Sequence, residues 1–369
     1  MSQKPRTLRW ALDEHSHAKH AVLREYLKAW LPISAFSEDS FLFVDGFAGP
    51  GRYSTGEEGS PIIALRAYLE HRARPHFTGT PYFAFIEGDC DRAAALEAEV
   101  KHTLDGVASP PPYDVEHGTF HEVLASLRDH LTERRLHLKP AFVMVDPFGI
   151  ADTPMSDLVW LISNPKCELY VSLMASFITR FEGTESFEQA LDALYGTHAW
   201  HDFTDLPHPE KRVALLNLYE RQLRTARPGL LVLRFDLYDG NVYKYTIFHA
   251  SRHERACERM KQAIWTLDPS GRFQFRGRGD VDQLSLFGPR PWSEALCREL
   301  LERIPPSPAW TMVAELEIYL RSDRTRFHPG QLKTALKDLE RDGQIVADPS
   351  TRRRHGEFPS RTRVQRASP

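Results

Sequence analysis

The chain is poor in cysteine. Cys90, Cys167, Cys257 and Cys297 are the only four in 369 residues, widely scattered and with no Cys-x-x-Cys pair. That spacing excludes a zinc ribbon and a disulfide framework, and it fits reduced thiols in a cytoplasmic protein. No apolar run approaches the roughly 20 residues of a membrane span, and the opening MSQKPRTLRW lacks the apolar core of a secretory signal. Neither sign of charge dominates, since 47 Lys+Arg face 50 Asp+Glu for a formal net charge of -3. No Gly-x-Ser-x-Gly elbow is present, which removes the commonest serine-hydrolase signature. Wholesale disorder is also excluded, because 41% of the residues are hydrophobic and 11% aromatic. The length predicts two or three domains.

What is present is an alternation. Runs with strand character at 41–45 (FLFVD), 82–87 (YFAFIE), 113–116, 141–146 (AFVMVD) and 168–174 (ELYVSLM) alternate with helical patterns at 62–70, 92–104 and 120–130. Ser60 is the expected N-cap of the first of these helices, with Pro61 at its first helical position. Such alternation implies a mostly parallel sheet with helices on both faces. The pattern then changes: 230–235 (LLVLRF) and 243–249 (YKYTIFH) flank Asp239-Gly240, a hairpin signal. Five parallel strands closed by an antiparallel hairpin make a seven-stranded mixed α/β sheet. That is the strand plan of Rossmann-like methyltransferases, whereas ordinary dinucleotide-binding folds lack the final hairpin.

A helix at 254–266 follows, and 271–291, rich in Gly, Arg and polar residues, reads as a linker. Helices at 292–304, 311–321 and 329–342 then precede two short strands, 345–346 and 358–364, around the Arg-rich loop Arg352–His355. Helices followed by a small hairpin have the order of a winged helix. The expected organisation is a main domain over 1–270 with an N-terminal helix, a linker at 271–291, and a small winged-helix (α+β) domain over 292–369. From Arg290 onward 15 Lys+Arg exceed 11 Asp+Glu, so a nucleic-acid contact is expected to begin at this end, unless the tail is a plain solvated one.

Chemistry is expected at the carboxyl ends of the strands, where open α/β sheets bind ligands. Asp45-Gly46-Phe47-Ala48-Gly49-Pro50-Gly51 follows the first strand directly. Its glycines let backbone approach a ligand closely, and Asp45 can accept from an ammonium group. No Gly-Lys-Ser/Thr follows, which disfavours a phosphate loop. Glu87 ends the second strand and suits bidentate recognition of ribose hydroxyls. Together these residues fit an adenosine-containing cofactor without needing a phosphate. After the third strand, Thr119 and Phe120 suit an adenine edge and face, although Thr119 is equally the N-cap of the next helix. Asp146-Pro147-Phe148-Gly149 follows the fourth strand. Its carboxylate orients an exocyclic amine and Phe148 stacks on a base, as in pockets for flipped nucleobases, the alternative being a tight Pro turn with a core Phe. Arg180 faces the same edge and can hold a phosphate, or it is an ordinary ion-pair residue. His15, His17 and His20 lie close together, but no acid or Cys accompanies them, so no metal site is expected.

Trp10, Lys19-His20, Tyr26–Trp30, VDGFAGPGRY (Val44–Tyr53), GSP (Gly59–Pro61) and VDPFG (Val145–Gly149), taken together, resemble the three-Cys-motif partner protein family, TcmP. The match runs in order over roughly residues 10–290, and a winged-helix-like tail is also seen in relatives. The resemblance implies a Rossmann-like methyltransferase using S-adenosylmethionine, and a functional partner encoded nearby that carries three cysteines and itself resembles radical-SAM proteins. It places Asp45, Phe47, Gly49 and Gly51 on the loop against the cofactor's methionine moiety, Glu87 on the ribose, and Thr119 where many such enzymes have an Asp near the adenine. Asp146–Gly149 falls where many amino-group methyltransferases read Asp-Pro-Pro-Tyr. Its Asp-Pro-Phe-Gly is similar to tRNA guanine dimethyltransferases, which modify an exocyclic amine.

The expected function is therefore methyl transfer from S-adenosylmethionine to a nucleobase amine in RNA or DNA. Asp146, Pro147 and Phe148 form the catalytic stretch, and Arg352, Arg353 and Arg354 join Arg180 in holding substrate. Two alternatives remain open. One is methylation of a small molecule or peptide made with the three-cysteine partner. The other is a non-catalytic, cofactor-binding role in nucleic-acid recognition or defence.

Overall fold

The apolar runs form one sheet in the computed structural model, which describes residues 7–12, 14–150, 152–174, 185–276 and 292–367. Strands β1 (Ser40–Asp45), β2 (Thr80–Glu87), β3 (Tyr113–His117), β4 (Ala141–Val145) and β5 (Cys167–Leu173) are mutually parallel. Strands β6 (Leu231–Asp239) and β7 (Val242–Ser251) form a hairpin, with β7 antiparallel to both β5 and β6. The order is β3-β2-β1-β4-β5-β7-β6, and a two-residue strand β8 (Gln274–Phe275) adds at the edge. Every residue of β4 is buried, which is why this central strand reads as continuous apolar sequence rather than an alternation.

Helices cover the sheet: α1 (Glu14–Ser37), α2 (Ser60–Leu69), α3 (Cys90–Leu104), α4 (Phe120–Glu133), α5 (Met155–Ser163), α6 (Glu185–Tyr195) and α7 (His208–Thr225). Successive strand residues face opposite sides. Val143, Leu169 and Val171 share one core with Leu158, Leu161, Leu191 and Leu215 of α5, α6 and α7. Phe142 faces the other way, onto Tyr26 and Trp30 of α1, with ring centroids 5.3 and 5.6 Å apart. Tyr26 donates its hydroxyl to Glu168, and His249 Nε2 lies 3.3 Å from the same carboxylate. This buried trio fastens α1 to β5 and β7. The sheet order reverses between β1 and β4, and the crevice at their carboxyl ends is the topological switch point.

Three expectations shift in this unit. The hairpin is longer than read and turns on Gly240, whose φ of 56° is left-handed. Gly59 is the N-cap of α2, and Ser60 is that helix's first residue, so its hydroxyl does not cap. Helices α5, α6 and α7 had not been read from the sequence. A parallel pair such as β4 and β5 needs a crossover, and α5 supplies it.

The chain divides into two units, 1–252 with 275–277, and 253–274 with 278–369. The helix α8 (Glu254–Leu267), expected in the main domain, belongs to the second unit. The reason is its polar anchoring. The carbonyls of Leu320, Ser322, Thr325 and Phe327 surround the three N–H donors of the buried Lys261 Nζ at 2.6–3.2 Å, and Trp265 Nε1 donates to the Arg326 carbonyl at 2.8 Å. Residues 271–276, expected to open the linker, are instead packed, with Phe273 and Phe275 buried. Residues 277–291 lie outside the described residues.

The second unit continues with α9 (Ser293–Arg303), β9 (Thr311–Met312), α10 (Val313–Arg321), α11 (Pro329–Arg341), β10 (Ile345–Ala347) and β11 (Arg363–Arg366). Its strands pair antiparallel in the order β10-β11-β9. The expected helix at 311–321 yields its first two residues to β9. The strand expected at 358–364 lies instead at Arg363–Arg366, because Phe358 is a buried anchor for the preceding loop.

Candidate cofactor and acceptor site

The glycine loop leaves β1 at the switch point and is tied to the neighbouring strands by its own backbone. Gly46 N donates to the Met144 carbonyl at 2.9 Å, and Ala48 N to the Ile86 carbonyl at 2.9 Å. Gly49 N donates to Glu87 Oε2 at 2.9 Å. Gly49 and Gly51 have φ values of 63° and 77°, which side chains rarely adopt. Gly46 is needed for a different reason. A Cβ there would lie 2.5 Å from a ring carbon of Phe120, closer than packed atoms approach.

Three carboxylates converge on this crevice. Asp45 has no solvent exposure. Its Oδ1 accepts from Phe47 N at 3.2 Å, while its Oδ2 is buried without a hydrogen-bond partner. Burial, reinforced by Asp146 and Glu87, pushes the Asp45 carboxyl up to about 7. The Ser60 hydroxyl lies beside it and opposes the rise, without reaching hydrogen-bond geometry. Glu87 is 6% exposed and mostly engaged by the chain. Oε1 accepts from Asp89 N at 2.9 Å and from Arg92 Nε at 3.1 Å, and Oε2 takes Gly49 N. One lone pair of Oε2 remains, so the expected bidentate geometry reduces to a single free acceptor position.

Asp146 is held by Lys19. The Nζ atom lies 2.9 Å from Oδ1 and 2.6 Å from Oδ2, and it sits 4.4 Å above the centre of the Tyr245 ring. Lys19 is buried, and its carbonyl accepts from Tyr170 Oη at 3.2 Å. Its neighbour His20 is buried against Tyr53, and burial with the adjacent Lys19 drops its imidazole to about 3. Phe148 meets Trp10 edge to face at 5.2 Å, and Trp10 meets Tyr53 at 5.9 Å. Trp10 also lies across Gly49, 3.7 Å from where a Cβ would stand. Segment 7–12 thus places aromatic surface over the glycine loop beside Asp146.

The crevice therefore brings together Asp45, Phe47, Gly49, Gly51, Glu87, Asp146 and Phe148, with the buried Pro147 turning the chain between the last two. Other expected residues fall elsewhere. Phe120 is 1% exposed and packs behind Gly46 and Phe47, supporting the loop rather than offering a face to adenine. Thr119 takes its alternative reading as N-cap of α4, in a capping box with Glu122. Arg180 lies outside the described residues. Arg352 is not a free cation, because its guanidinium makes a two-point pair with Glu340, the Nη1 contact being 2.9 Å. Their side chains are only 8% and 7% exposed. Arg353 and Arg354 are exposed.

Lys19, Trp10, Tyr53 and Arg92 were not read as site residues. Trp10 and Lys19 stood in the family resemblance, but the Lys19–Asp146 pair spans 127 residues and no local spacing announces it. Arg92 sits five residues beyond Glu87 on the first turn of α3, a spacing that a strand-end acid followed by a helix start could have flagged.

No family model matches the chain, and no curated protein does. Among solved structures, Trm1 from Pyrococcus horikoshii in complex with S-adenosyl-L-methionine aligns over 99% of this chain and 94% of its own, at 11% identity and a TM-score of 0.41. An O-methyltransferase from Bacillus cereus in complex with SAH aligns over 62% and 80%, at 13% identity and a TM-score of 0.33. The O-methyltransferase TomG from Streptomyces achromogenes in complex with SAM aligns over 66% and 92%, at 14% identity and a TM-score of 0.33. The strand order and the crevice, not these likenesses, carry the functional reading. No described helix is long and apolar enough to cross a membrane.

Proposed function

We propose that this chain is an S-adenosylmethionine-dependent methyltransferase acting on an exocyclic amine of a nucleobase. One observation carries most of the proposal. An unpaired buried carboxyl oxygen, Asp45 Oδ2, lies under a glycine loop at the switch point of a β3-β2-β1-β4-β5-β7-β6 sheet, with a second carboxylate, Asp146, beside it.

The residues present fit the cofactor. An ammonium at Asp45 gives the unpaired oxygen a partner and draws the proton off the carboxyl. The glycine turn admits the methionine backbone, and the free lone pair of Glu87 Oε2 accepts one ribose hydroxyl. When bound, S-adenosylmethionine supplies an electrophilic methyl group on sulfur. The chain's share is proximity and aim. Lys19 fixes the Asp146 carboxylate through both oxygens, and the lone pairs that Lys19 leaves open accept the amine's hydrogens. That turns the amine's own lone pair toward the methyl carbon. Trp10 and Phe148 form an aromatic corner on which the base stacks.

Family membership in TcmP, and with it dependence on a three-cysteine, radical-SAM-like partner, belongs to the same proposal and is supported by the motifs quoted from the sequence. The test is to incubate the protein with methyl-tritiated S-adenosylmethionine and host nucleic acid, then digest to nucleosides. An N-methylated, labelled nucleoside is the expected product. Label confined to small molecules or protein would replace the acceptor class, and adding the three-cysteine partner shows whether it is required.

A further inference from the structure

The second unit carries a basic cavity that does not involve Arg352. A depression of about 440 Å³ is lined by Lys333, Lys337, Arg353, Arg361, Glu357 and Phe358, among others. Two elements build it. Lys333 and Lys337 stand four residues apart on the solvent face of α11, whose opposite face buries Leu332, Ala335, Leu336 and Leu339. Arg353 and Arg361 come from the loop between β10 and β11. That loop is held against α11 from beneath. The half-buried Arg352–Glu340 pair fixes it, Gly356 N donates to Glu340 Oε2 at 3.2 Å, and the Arg352 guanidinium packs over the ring of Phe358.

All four lining cations are exposed. Among the described residues, no carboxylate lies within ion-pair distance of any of them. Elsewhere on α11 the charges are matched, as where Arg341 pairs with Asp338 and Asp342. Four unmatched cations against one lining acid, Glu357, make a local field that favours a polyanion.

We infer that this cavity is a phosphate-backbone seat for duplex DNA, with α11 entering the major groove and Lys333 and Lys337 on its flank against the phosphates. The helix decides between duplexes. The major groove of B-form DNA admits an α-helix, whereas the deep, narrow major groove of A-form RNA does not. The loop cations Arg353 and Arg361 then reach the flanking phosphates, and Arg352 is a positioning residue that fixes the loop. The inference rests on the nucleic-acid reading of the acceptor and narrows it to DNA.

The experiment is fluorescence anisotropy of the full chain with a labelled DNA duplex over a salt series, alongside calorimetric binding of S-adenosylmethionine. Lys333→Gln with Lys337→Gln should weaken DNA binding about tenfold and flatten the log–log salt slope by about 1.8, at about 0.9 per lost phosphate contact. The matched control Arg134→Gln with Arg135→Gln removes the same charge from an exposed site in the first unit, and should change neither. Glu357→Gln should tighten binding, a gain that a misfolded variant cannot mimic. The inference is overturned by no DNA binding at low salt, by equal losses in the lysine and control variants, or by equal affinity for an RNA duplex. An unmodified chain that binds S-adenosylmethionine and transfers methyl but binds no DNA duplex would sink this inference alone, whereas an unmodified chain that binds no S-adenosylmethionine would sink the methyltransferase reading.

Discussion

At the scale of single residues, Asp45 sets a sign that is open to measurement. Its carboxyl is raised from 3.8 to about 7 in the folded chain. Below the unfolded value both states hold the proton, between the two values only the folded state does, and above about 7 neither does. The stability this group contributes is thus fully present at low pH and is lost as pH rises through about 7. Asp45→Asn should flatten that part of the melting-temperature profile. Cofactor binding runs the other way, because an ammonium prefers the carboxylate. Affinity for S-adenosylmethionine should rise between about pH 5 and about pH 7 in the wild type and lose this dependence in Asp45→Asn, as read by calorimetry at each pH. Lys19 offers a second test. Lys19→Met leaves Asp146 without the cation that holds both its oxygens, so methyl transfer should fall about tenfold or more while S-adenosylmethionine affinity stays within a few fold. Unchanged transfer in Lys19→Met would show that the pair does not position the acceptor. None of this pairing was legible locally. The strand-end acids stood out because they interrupt apolar runs, but Lys19 and Trp10 reach the crevice only through tertiary packing of α1 and the segment before it.

At the scale of elements, the glycine loop depends on what stands behind it. Gly46→Ala forces a methyl group into Phe120 and against the Met144 carbonyl, and overpacking of this kind costs about 1–3 kcal/mol. Chemical denaturation should show the loss, and Phe120→Leu should recover part of it in the double variant by freeing the space. Full stability of Gly46→Ala alone would contradict the packing described. The same contact explains why Phe120 was misread. A Phe after a third strand suits an adenine wall by position, yet only the three-dimensional neighbourhood shows its ring filled by backbone. Arg352 was misread for a related reason. Three consecutive arginines look alike in sequence, but Glu340 on α11 selects the first and pairs with it at two points. Hydrogen bonds to a charged group contribute about 1.5–3 kcal/mol, so Arg352→Met should destabilise the second unit, while Arg353→Met should leave the melting curve unchanged.

At the scale of the whole molecule, the strand alternation, the closing hairpin and the basic C-terminal unit were all legible, because each leaves a periodic or compositional trace. The boundary between units was not. Helix α8 looks like a continuation of the sheet domain, and its contacts with the 320–328 stretch, among them the Lys261 and Trp265 bonds and the Arg321–Glu258 pair, assign it to the second unit. Asp146 is proposed to serve methyl transfer and not cofactor binding. The most direct measurement compares wild type with Asp146→Ala for calorimetric S-adenosylmethionine affinity and for tritium transfer into nucleic acid. Transfer reduced at least about a hundredfold, with affinity within a few fold of wild type, is the predicted result. Transfer that persists in Asp146→Ala, or a wild type that binds no S-adenosylmethionine, would contradict it.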